Sequence, residues 1–118
     1  GKNNPQFSPN LPVGDGIIIV NTDKVKFSGN KNTEKKYYKH TGHPGGIKEI
    51  TPDKLKEKNK SEDIIKKAIK GMLPNSPLFR DLMKNNLRLY KDSNHPHESQ
   101  NPKPIDFKSQ NRKNLINV

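Results

Sequence analysis

The chain has 118 residues, enough for one domain, but only 27% of them are apolar and the mean hydropathy is −1.12. Its 23 basic side chains against 12 acidic ones give a formal charge of +11, which repels itself in a free monomer and is rewarded by a polyanion through steering and counterion release. The absence of cysteine excludes disulfides and thiolate metal sites, and the longest apolar run, Ile17 to Val20, is far too short to cross a membrane, so no membrane partner is expected.

Two kinds of protein fit these bounds: a partly disordered one, or a small core propped by a large partner. The opening GKNNPQFSPN lacks the apolar stretch of a secretory signal, and the missing Met points to a processed or incomplete chain. Residues 1–16 are rich in Pro, Asn and Gly and read as an extended lead-in. Ile17–Val20 reads as a strand covered on both faces, followed by a turn at Asn21-Thr22-Asp23. Val25 and Phe27 alternate with lysines as a half-buried strand that Ser28-Gly29 ends. From Asn30 to Lys48 no periodicity holds, which predicts a long loop with a short strand at Lys36–Lys39.

Thr51-Pro52-Asp53 carries a hydroxyl cap, a proline at the first helical position and an early carboxylate, the signature of a helix start. That helix is short, with Leu55 its anchor. The next begins with Ser61 as cap and sets Ile64, Ile65, Ala68 and Ile69 on one face, Lys66, Lys67 and Lys70 on the other, with Gly71 as its stop. Ser76-Pro77 opens a third helix with Leu78, Phe79, Leu82 and Met83 inward, and Leu87, Leu89 and Tyr90 close as a short strand. Beyond Asp92 an extended tail is expected, anchored by Ile105 and Phe107. The sum is a small α/β domain wrapped in long basic segments and extended termini.

His40, His43, His95 and His97 have the count for a zinc quartet, but no cysteine supports it and the second pair lies across a long helical stretch. No serine or threonine sits in a nucleophile elbow, no G-K-[ST] phosphate loop occurs, and Glu62-Asp63 are explained by the first turn of a helix. Neither a cofactor nor an enzyme activity is expected. YYKHTGHPGGIK, from Tyr37 to Lys48, favours RNA instead. Its lysines suit phosphates, its aromatic rings suit stacking, and its glycines let backbone approach closely. In extended backbone one of Tyr37 and Tyr38 must face the core.

KKYYKHTGHPGGIK and KGMLPNSPLFR resemble signatures of the universal ribosomal protein L13 family. GKNNPQFSPN, GDGIIIVNTDKVKFSGNK and LRLYKDSNHPHESQNP resemble its other segments, in order, across residues 1–107. The resemblance implies a small, mostly parallel sheet between helices, and a structural role in the large ribosomal subunit, binding large-subunit rRNA in assembly and translation. The alternative is a protein-binding or regulatory module of the same fold acting off the ribosome. Implied RNA-facing residues are Lys2, then Lys36, Tyr38, Lys39, His40, Thr41, Gly42, His43, Gly45, Gly46 and Lys48 in the central region. Gly71, Met72, Pro74 and Arg80 follow at the break before the third helix, with His95, His97 and Gln100 in the closing segment.

Four departures from the family pattern stand out. Its opening strand and helix are missing, which leaves a face of the Ile64–Ile69 helix short of cover. Phe79 stands where glycine is usual, Asn85-Asn86 adds a residue, and 108–118 forms a polar extension beyond the L13-like domain. The expected partners are rRNA and neighbouring large-subunit proteins, and the opening strand and helix come from a separate chain, from a neighbouring ribosomal protein, or from residues of the protein that precede this sequence. A shortened start and an added tail suit an organellar ribosome, the mitochondrion before the plastid or the bacterial cytoplasm.

Overall fold

The computed structural model describes Gly1, Lys2 and residues 4–106; Phe107 and the 108–118 extension lie outside the described residues. Strand β1, Ile17–Ile19, pairs in parallel with β4, Leu87–Leu89, in the register Ile17↔Leu87 to Ile19↔Leu89. A second, antiparallel pair joins β2, Tyr37–His40, to β3, Ile47–Ile50. Between and after them come α1 (Lys31–Glu34), α2 (Pro52–Glu57), α3 (Ser61–Met72) and α4 (Pro77–Asn85). The α/β class stands, with the parallel pair among helices as implied and the hairpin as a separate two-stranded unit.

Both proline-marked starts form helices with Pro at the first turn, after Thr51 and Ser76 in extended conformation. Other local expectations change. Val25–Phe27 alternates in exposure but forms no ladder, because alternation reports half-burial and a strand also needs a partner edge. The expected 30–48 loop contains α1 and, from Ile47, the start of β3. Gly71 does not stop α3, which runs through Met72 to a cap at Leu73. Ile105 is 63% exposed, so it anchors nothing among the described residues.

Ser61 is the first residue inside α3, with Lys60 at the cap position. Its hydroxyl donates to the Asp23 carboxylate and meets the Thr22 hydroxyl at 3.5 Å. Thr22 itself donates its backbone N–H to the Tyr90 carbonyl at 3.1 Å. The centre of the molecule is therefore polar and hydrogen-bonded, with Thr22, Ser61 and Pro52 fully enclosed.

Around it the buried apolar set is Leu55, Ile64 and Leu89. Ile65 and Ile69 are half-buried and Ala68 is exposed, so only one residue of the expected α3 face is closed off from water. None of the inward residues of α4 is fully buried. The radius of gyration of 17.0 Å matches that thin core; a compact hundred-residue domain has roughly 13 Å.

Candidate nucleic-acid interface

The β2–β3 hairpin collects most of the central candidates. Its register sets Tyr37 against Ile50, Tyr38 against Glu49, Lys39 against Lys48 and His40 against Ile47. Side chains alternate along a strand, so Tyr37 and Lys39 share one face and Tyr38 and His40 the other. Tyr37 is the inward tyrosine, half-buried under two cations: Lys67 Nζ lies 4.4 Å from the ring centroid and Lys35 Nζ 5.5 Å. Burial pushes its phenol above the usual value.

Further out on that face Lys39 and Lys48 stand directly opposite, both exposed. Like charges in that position repel and destabilise the pair unless an anion comes between them. On the other face Tyr38 is 64% exposed, a free aromatic surface on which a base can stack. Lys36 is already engaged, 2.8 Å from Glu49. Its ammonium is held above the ordinary value by that hydrogen bond first, then by the charges of Glu49 and Tyr38.

The tip is closed by its own backbone. Gly46 N–H donates to the His43 carbonyl at 3.0 Å and Thr41 N–H to the Gly46 carbonyl at 2.9 Å. Pro44 and Gly45, the latter at φ 71°, occupy the two central positions in the pattern of a type II turn. At Gly46 a Cβ would lie 2.0 Å from Thr41 Oγ1 and 2.9 Å from the His43 carbonyl oxygen, so no larger residue fits without opening the turn. His40 Nδ1 accepts from Gly42 N–H at 2.9 Å, leaving Nε2 as the outward nitrogen. Two opposed ammonium groups, a stacking ring and a turn of bare backbone are thus held on one rigid finger.

A family profile described as ribosomal protein L13 matches residues 1–96. The large ribosomal subunit protein uL13 of Methylobacterium nodulans is 48% identical over 115 residues, covering 98% of this chain and 74% of that protein. The chain belongs to the ribosomal protein L13 family. Family proteins of the same name from Maricaulis maris and Brucella canis are each 50% identical. The first covers 97% of this chain and 74% of its own length, the second all 118 residues here and 76% of its own. The L13 family is structural and non-enzymatic.

The other residues carried over by the L13 resemblance fall in separate places. Lys2 is exposed in the lead-in. Pro74 and Arg80 line a concavity of about 300 Å³ with Lys70, Leu73 and Phe79. Gly71 and Met72 lie outside that lining, Met72 being 81% exposed. His97 is tied inward, its Nε2 2.7 Å from the Tyr90 hydroxyl, and His95 stacks beside it at 6.3 Å between ring centroids. Gln100 is exposed in the 3₁₀ turn Glu98–Gln100.

Among the described residues no group of three or more His, Cys, Asp or Glu side chains is placed to hold a metal ion. The four histidines do not converge: His40 orders the hairpin tip and His97 orders the closing segment. Sequence reasoning missed Lys35 and Lys67 as the cations over Tyr37. It also missed a basic groove beside β4. The i, i+3, i+4 spacing of the α3 lysines was the only signal for it, because the other wall comes from α4 and β4.

Proposed function

We propose that this chain is a structural constituent of the large ribosomal subunit that binds and stabilises large-subunit rRNA, supporting assembly and translation. Family membership supports the ribosomal role, and the relatives carry it in their names. The observation that carries the RNA reading is the hairpin tip. Lys39 and Lys48 face each other unpaired in a chain of charge +11, beside an exposed Tyr38 and a turn without side-chain bulk. RNA gains from the first through phosphate neutralisation and from the second through stacking.

The partners of this reading are rRNA and neighbouring large-subunit proteins, and the thin cover over α3 leaves a helix face for a protein contact. The ribosome is the location. The relatives are bacterial, so they lend no support to the mitochondrial compartment.

The test is a salt titration of binding to large-subunit rRNA. Affinity falls steeply with salt, and Lys39→Ala weakens it and lowers the slope of log K against log salt by up to about one unit. An unchanged affinity and slope would remove Lys39 from the interface. Recovery of the native protein only outside ribosomal particles would overturn the function itself.

A further inference from the structure

A groove of about 710 Å³ runs between α3, α4 and β4. Its floor is apolar, formed by Met83, Leu87, Leu89 and Tyr90. Its rim is cationic: Lys66, Lys67 and Lys70 come from one face of α3, Arg80 and Lys84 from α4, and Arg88 from β4. Asp63 is the one carboxylate in the lining, and Glu62 pairs with Lys66 at 3.7 Å. Lys70, Arg80 and Lys84 have no ion-pair partner among the described residues.

The groove also exposes backbone. Leu87 to Tyr90 are consecutive, yet all four line it. Because side chains alternate between faces, a groove touched by every residue in a row runs along the strand edge. The ladder agrees. Ile17 N–H donates to the Asn86 carbonyl at 2.7 Å and Tyr90 N–H to the Ile19 carbonyl at 2.8 Å. With the observed register, this turns the peptide groups of Arg88 toward β1 and those of Leu87 and Leu89 away from it. No other strand pairs with β4 among the described residues.

We propose that this groove binds an extended acidic polypeptide segment, added as a third strand along the free edge of β4. The edge offers N–H donors and C=O acceptors in alternation, and a polypeptide strand satisfies both. A phosphate group only accepts, whereas a polypeptide strand presents a donor and an acceptor at every second residue, the spacing of the Leu87 and Leu89 peptide groups. Alternating apolar and acidic side chains match the apolar floor and the cationic rim at once. The occupant is thus a protein, distinct from the RNA assigned to the hairpin, and the groove stands or falls independently of that assignment.

The probe is a fluorescent octapeptide alternating glutamate and valine, titrated into the full chain in sodium sulfate, which strengthens apolar burial and keeps the β1–β4 ladder formed, and followed by anisotropy and amide exchange. Saturable binding is expected, with slowed exchange at Leu87 and Leu89. Reversing charge in Lys66→Glu with Lys84→Glu weakens it by about tenfold or more. N-methylation of alternate amides, which keeps the peptide's charge but blocks strand pairing, weakens it by about tenfold or more as well. If the double variant loses its helical circular dichroism, the N-methylated peptide alone decides, since it needs no variant. The proposal is overturned by equal binding of both peptides, by absence of saturable binding, or by an RNA oligonucleotide giving the same amide protection. Protection that grows with protein concentration and no peptide, the mark of a second copy, overturns it too.

Discussion

Ile64→Ala tests how the thin core is held. Ile64 is 3% exposed and, among the described residues, shares the buried core with Leu55, Leu89 and Pro52. A buried Ile→Ala change costs about 2–5 kcal/mol through lost transfer energy and the cavity left behind. Small domains have only about 5–15 kcal/mol in total, and so small a buried core among the described residues places this one at the low end. At about 4–8 °C per kcal/mol the midpoint falls by at least ~8 °C, enough to abolish a cooperative transition. The assay is thermal unfolding of the full chain by circular dichroism in sodium sulfate, which strengthens apolar burial and gives the parent a measurable transition. Ile65→Ala, half-buried on the same helix, should fall between. Ile47→Ala, at a position 61% exposed, should stay within about 0.5 kcal/mol. Equal losses for Ile64→Ala and Ile47→Ala would mean that burial at α3 does not hold the fold.

Without sulfate or partner, the isolated chain at moderate salt should show poorly dispersed amide signals and fast exchange across Ile17–Val20; strong protection there with cooperative unfolding would refute this. Gly46→Ala should open the hairpin tip, speeding exchange at Thr41 and Gly46 by at least about tenfold as two backbone bonds of about 1 kcal/mol each weaken. Adding Thr41→Ala should restore only part of it, since the His43 carbonyl contact remains. Above pH 10.0, the ordinary tyrosine value, stability should decline, because the folded-state pKa of Tyr37 is raised by burial. Its contribution is whole below that pH and is lost as pH rises through the folded value. Tyr37→Phe should remove that part of the slope in a melting-temperature series.

Elements marked by local chemistry were legible. Pro52 and Pro77 fix the first turns of α2 and α4 whatever surrounds them, and the apolar run Ile17–Ile19 does form a strand. The expected cover on both faces is not there, since Ile17 is 57% exposed and Ile18 and Ile19 are only half-buried, β1 having a neighbour on one edge alone among the described residues. Features defined by a partner were not. Ile47–Ile50 reads I-K-E-I, too short to show a period, and becomes a strand only because the Pro44-Gly45-Gly46 turn returns it to β2. Val25–Phe27 had the alternation and lacked the neighbour. At the candidate site the opposite orientation of Tyr37 and Tyr38 followed from backbone geometry alone. Nothing in the spacing gave the pairing of Lys39 with Lys48, since register is set by the turn. The inward commitment of His97 to Tyr90 likewise depends on how the tail folds back.

The opposed lysines make added electrolyte act on the hairpin in two contrary directions. Counterions competing for phosphate lower affinity, while the same ions shield Lys39 from Lys48 and tighten the finger before it meets RNA. A measured salt slope is therefore the difference between a weakened grip and a better-prepared hand. Lys48→Thr relieves the strain without removing Lys39, so it should make the remaining slope steeper per phosphate contact than charge counting allows.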